Sequence, residues 1–129
     1  MRSPIKNLKK TTNSLSAVKQ IIPKGSIVES HLFYDGSLEF NLAEDDRFVV
    51  ANASKYVVYE FWACAMENPK RIAEIANHLF PSLSEQTFDI LQKDWARYKD
   101  PYVRSAFFFL LNRCSALGMI THGEFDTKN

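Results

Sequence analysis

The sequence predicts a helix-rich α/β fold, with short parallel strands in the first half and a helical block in the second. Three observations predict it. Two short apolar runs, near residues 26–33 and 47–51, are separated by a glycine turn and a short amphipathic stretch. A strand–helix–strand unit of about 30 residues implies a parallel crossover. From Asn68 onward apolar residues recur at helical spacing, and proline and capping residues punctuate them.

The elements follow in order. Leu15–Ile22 carries Leu15, Val18, Ile21 and Ile22 at helical spacing and stops at Pro23; Lys24-Gly25 is a turn. Ser26–Phe33 reads as a strand. Asp35-Gly36-Ser37 is a tight turn that opens a short helix to about Ala43, and Glu44–Asp46 is a polar loop. Phe48-Val49-Val50 within Arg47–Ala51 fits a buried strand. Asn52 or Ser54 caps the next helix, whose inward residues are Val57, Val58, Phe61, Trp62 and Ala65. This is the opening of a nucleotide-binding α/β fold. Two strands do not complete such a sheet, so either further strands lie within 118–129 or the chain stops early.

Asn68-Pro69 then starts a helix with the stripe Ile72, Ile75, Ala76 and Leu79, ended by Pro81. Ser82 and Glu85 have the spacing of a capping box, followed by Phe88, Leu91, Trp95 and Tyr98. Asp100-Pro101 starts the last helix, which reaches about Leu117 before Gly118. Its core face holds Val103, Phe107, Leu110, Leu111, Cys114 and Leu117, and Phe108 and Phe109 extend burial to a second side. Asn112 and Arg113 form its exposed polar end. The expectation is one domain over 1–129: a basic arm and first helix (1–25), the strand–helix unit (26–66) and the helical block (67–129).

The 129 residues are 46% hydrophobic, 24% charged and 13% aromatic, which fits a globular domain with a bulky core. Net charge is +1, but it is unevenly placed. Residues 1–28 hold six basic residues and no acid; the remainder holds ten basic and fifteen acidic residues. A basic leading segment suits phosphates or acidic surfaces. Cys64 and Cys114 stand apart among apolar neighbours, as reduced core cysteines of a cytoplasmic protein. No apolar run reaches the roughly 18 residues of a membrane span, so no membrane partner is expected.

The run RSAFFFLLNRCSALGMITHGEF, from Arg104 to Phe125, resembles a segment of the Dam-type adenine-specific DNA methyltransferases. That family has a helix ending in A-x-F-x-x-L-N-R-x-x-F-N-G and then G-x-F-N. Ala106, Phe108, Leu111, Asn112, Arg113, Gly118, Gly123 and Phe125 match it. Upstream, FYDGSLEFNL (33–42) is similar to the first motif of the family, and VVANASKYVVYEFW (49–62) to its second strand and helix. The resemblance covers nearly the whole chain, in order, and implies a Rossmann-like methyltransferase half.

It further implies an S-adenosylmethionine site at Phe33, Asp35, Gly36, Ser37 and Asn52, and DNA as partner, met by Lys9, Lys10, Asn112 and Arg113. One glycine, Gly36, remains of the first motif, and Ala53 stands where the ribose-binding acid belongs. Asp100-Pro101-Tyr102 is a near match to the catalytic D-P-P-Y, but it precedes the Phe-rich helix and reads as a helix start; no catalytic residue is assigned. The expected function is therefore a DNA adenine methyltransferase-like protein, shortened or catalytically incomplete. The alternative is a non-catalytic binding or assembly module of viral (phage) origin with weak nucleic-acid affinity. No metal site is expected: His31 and His78 lack ligand spacing, and His122-x-Glu124 has no P-C-x-x-C after it.

Overall fold

The computed structural model describes residues 3–7, 11–121 and 123–126. Two compact units result, Met1–Val58 and Tyr59–Asn129. The sequence suggests one domain over 1–129 with segments 1–25, 26–66 and 67–129.

In the first unit, a short 3₁₀ turn leads into helix α1 (Leu15–Ile21), followed by strand β1 (Ile27–Ser30), helix α2 (Ser37–Glu44) and strand β2 (Phe48–Ala51). The strands pair in parallel, as the crossover length requires, with Ile27 opposite Phe48 and Ser30 opposite Ala51. Among the described residues the sheet has these two strands. Strand β1 ends at Ser30, not Phe33, because His31 and Leu32 turn away into solvent. The covered face meets α2: Ser30 Oγ donates to Glu39 Oε1 at 2.6 Å, and Leu42 is buried.

The burial expected of the second strand is not found. Phe48 is 68% exposed and Val50 39%, and the register neighbour Ile27 is 73% exposed. Within this unit and among the described residues, a two-stranded sheet with one covering helix leaves its other face without cover.

One side chain organises this unit. Arg47 is buried, and its guanidinium donates to the carbonyls of Ile22 (2.9 and 2.7 Å), Lys19 (3.2 Å) and Asp45 (2.8 Å) and to the Asp45 carboxylate (2.5 Å). Carbonyls at the end of α1 lack helical partners and form the negative pole of its dipole, so a guanidinium satisfies both deficits.

Helix α3 (Tyr56–Glu67) starts beyond both residues expected to cap it, Asn52 and Ser54. The second unit otherwise consists of α4 (Pro69–Leu79), α5 (Glu85–Asp94) and α6 (Pro101–Arg113), with 3₁₀ turns at Phe80–Ser82 and Trp95–Arg97. Asn68 caps α4 by accepting from the Arg71 N–H at 3.3 Å, and Asp100 caps α6 by accepting from the Tyr102 N–H at 2.8 Å. Both caps fall where the sequence places them. The capping box of α5 is shifted two residues: Ser84 and Thr87 exchange the reciprocal bonds, and Glu85 lies in the first turn.

Phe88 and Leu111 lie at the centre of the core of this unit, with Cys114, Leu91, Trp95 and Phe125 around them. Phe61 adds a tilted contact to Phe108 at 5.2 Å. Glu60, buried, takes a bidentate pair from Arg104 (2.8 and 2.7 Å), so its charge is met inside the unit.

Helix α6 ends at Arg113, four residues before the expected Leu117, which is 54% exposed and no core residue. The backbone beyond Arg113 finds other partners. Ala116 N–H donates to the Glu124 carbonyl (2.9 Å), and Asp126 N–H to the Cys114 carbonyl (2.6 Å). These form an antiparallel bridge between Ser115 and Phe125. Extended pairing therefore does occur in the last segment, as a single bridge with no further strand among the described residues. Among those residues no helix is long and apolar enough to cross a membrane.

Candidate functional site

In parallel α/β sheets, ligands bind outside the carboxyl ends of the strands. The residues implied as a cofactor site do converge there. Asn52 N–H donates to the last residue of β1, Ser30, at 2.7 Å, and its carbonyl accepts from Phe33 N–H at 3.4 Å. Asp35, Gly36 and Ser37 follow as the turn into α2.

The turn is closed by its own side chains. Asp35 is buried; its carboxylate accepts from Ser37 N–H (3.3 Å) and Ser37 Oγ (2.8 Å), so it serves the start of α2. Gly36 is left-handed at φ 74°, a conformation that glycine takes without strain. A Cβ at Gly36 would overlap the Phe40 ring and lie 3.2 Å from Phe33. The two rings meet edge to face with centroids 6.1 Å apart. Gly36 thus makes room for an aromatic pair of this chain. Sequence reasoning missed Glu39, a buried carboxylate held by Ser30 at the same strand end. Its signal was available: an acid in the first turn of a helix that follows a strand and a glycine.

Of the implied nucleic-acid residues, Lys9 and Lys10 lie outside the described residues, as does His122. The basic segment can still be followed at Lys19 and Lys24. Their ammonium groups stand 3.6 and 3.5 Å from the Asp45 carboxylate, which also pairs with Arg47. The hydrogen bond from Arg47, aided by the two lysine charges, lowers the pKa of Asp45 below its ordinary value. Three cations thus surround one carboxylate.

Asn112 corrects the expectation of an exposed polar helix end. It is 0% exposed, and its Nδ2 donates to the Gly118 carbonyl at 3.2 Å. A side chain without accessible surface reaches no phosphate. Arg113, one residue on, is half-buried and lines a cleft of about 280 Å³ with Asn77, Phe80, Phe109 and Leu110. Gly123 is also a packing residue: a Cβ there would overlap Ser115 Oγ and the Met119 carbonyl.

Asp100-Pro101-Tyr102 has a structural arrangement. Besides capping α6, Asp100 pairs with Arg71 at 3.0 Å. Arg71 stands 4.8 Å over the Tyr102 ring, and Tyr102 Oη donates to Glu67 at 2.9 Å. Partial burial, and then the bond to Glu67, raise the Tyr102 pKa and keep the phenol a donor. Cys64 and Cys114 are buried free thiols. Among the described residues no three His, Cys, Asp or Glu side chains form a metal-holding group. No family model matches this chain, and no curated protein matches it in sequence.

Proposed function

We propose that this chain is a non-catalytic binding module with weak, electrostatic affinity for nucleic acid, built on a strand–helix–strand unit like the start of a Dam-type methyltransferase. The observation that carries this reading is the closed turn at Gly36. An S-adenosylmethionine site there needs open backbone beside the glycine and an acid after the second strand to accept the ribose hydroxyls. Here the Phe40 ring fills the space at Gly36, the Asp35 carboxylate is engaged by Ser37, and Ala53 offers no acceptor. These residues do not fit the cofactor, and no methyl-transfer step is derived from them.

The basic first segment supports nucleic acid as the partner. Lys6, Lys9, Lys10, Lys19 and Lys24 supply charge without an acid before Glu29, and Arg113 adds a guanidinium in the second unit. Such contacts neutralise phosphates and release counterions, so affinity falls steeply as salt rises.

The test has two arms. Labelled methyl transfer to adenine-containing DNA should be absent, and calorimetry should give no micromolar affinity for S-adenosylmethionine. A labelled duplex should bind at low salt, weaken roughly tenfold or more on raising salt from 50 to 200 mM, and weaken again in a Lys9→Glu/Lys10→Glu variant. Turnover, or micromolar cofactor binding, would restore the enzyme reading. Duplex affinity indifferent to salt and to the charge reversal would remove nucleic acid as the partner.

A further inference from the structure

The geometry points to the free edge of β2 as a self-association surface, through which a second copy of this chain extends the sheet to the order β1-β2-β2′-β1′. The proposal goes beyond nucleic-acid binding and is independent of it.

Backbone direction sets the edge. Phe48 and Asn52 donate their N–H groups to Ser26 and Ser30 on the β1 side, at 2.9 and 2.7 Å. Alternation along a strand then directs the N–H and C=O of Val49 and Ala51 away from β1. Among the described residues neither makes another backbone hydrogen bond. An edge of this kind is a template for pairing; proteins that avoid pairing keep such edges very short, as β2 is, or guard them with lysine, proline, a bulge or a charge. Residues 48–51 read Phe-Val-Val-Ala and carry no lysine, proline or charge. The opposite edge differs: β1 carries the acidic Glu29, with His31 Nε2 3.6 Å from its carboxylate.

The occupant follows from the uncharged, self-complementary character of the strand. A twofold axis perpendicular to the sheet keeps the α2-covered faces of both copies on one side, so residues opposite each other must share a face. Centring the axis on Val50 places Val49 opposite Ala51′ twice. All four outward N–H groups and all four carbonyls are then satisfied, and no like charges meet. Val50 meets Val50′ on the outer face, where Phe48 and Ile27 extend the apolar surface. Centring on Val49 would instead oppose Ala51 to Arg47′, whose N–H is already given to Leu42. A four-residue edge buries far less than the roughly 800 Å² per partner of a standard interface. The dimer is therefore weak and concentration-dependent.

Sedimentation equilibrium without nucleic acid, over rising concentration, reads the association. Wild type should pass from monomer toward dimer. Val50→Asp and Val50→Lys, checked for native far-UV dichroism, should each lose association, because like charges face each other across the axis. Their equimolar mixture should regain it as a heterodimer. Amide exchange at Val49 and Ala51 should slow at high concentration in wild type, but not in either variant by itself. Wild type that stays monomeric, single variants that associate as wild type does, or a mixture no stronger than either variant would each overturn the proposal. Loss of duplex binding would bear on the proposed function only.

Discussion

Asn112 shows how one buried amide ends a helix. Its Nδ2–H reaches the Gly118 carbonyl, which tucks the chain back under α6. Removing the donor leaves that carbonyl without its partner in a region closed to water. Asn112→Ala should cost about 1–3 kcal/mol, read as a lower urea midpoint. An unchanged midpoint would show that the bond contributes nothing net. Phe107 is a second residue-scale case: buried and edge to face with Tyr98 at 4.9 Å. Phe107→Ala should cost about 3–5 kcal/mol; a midpoint shift no larger than that of a surface variant would contradict its core role. Asp45 gives a pH dependence with a definite sign. Its folded pKa is lowered, first by the Arg47 hydrogen bond, from an ordinary value of 3.8. The resulting stability is fully present above that value and is lost as pH falls through the lowered folded value. The stability gap between wild type and Asp45→Asn should therefore narrow on acidification from pH 6 to pH 2. A gap constant over that range would mean that the carboxylate charge plays no part.

At the scale of elements, caps were the most legible feature. Asp100-Pro101 and Asn68-Pro69 act locally: a side chain meets an N–H two or three residues on, and proline occupies a position that needs no donor. Asp100→Ala should lower stability by about 1 kcal/mol through loss of the cap, and Asp100→Asn, which keeps an acceptor, should recover most of it. Equal losses would point to the Arg71 ion pair as the larger effect. The α5 box was misplaced because Ser82 and Ser84 are both eligible caps. Thr87, whose Oγ1 accepts from Ser84 N–H at 2.6 Å, selects the second. The end of α6 was misread for a different reason. Nothing in Ser115–Leu117 forbids a helix; the carbonyl of Glu124 and the N–H of Asp126 draw that backbone into an extended bridge.

For the whole molecule, charge asymmetry and the open sheet are the two features with consequences for partners. The first 28 residues carry six positive charges and no negative ones. On the proposed nucleic-acid reading, lysine-modification footprinting with duplex DNA should protect Lys6, Lys19 and Lys24 and leave Lys70, Lys93 and Lys99 unchanged. Uniform protection would place the contact elsewhere.

The sequence by itself determined what depends on neighbours within a turn of chain: element order, the parallel pairing imposed by a short crossover, the proline-assisted caps, and the core residues Phe88, Phe107 and Leu111. It determined the charge gradient too, which needs no fold. Tertiary structure alone decided which polar residues face water. Arg47 and Asn112 are charged or polar by sequence, yet both are buried, because carbonyls 25 and 6 residues away supply their partners. It also decided that Phe48 and Ile27 remain exposed, since burial of a strand depends on what lies across the sheet and not on the strand's own apolar residues.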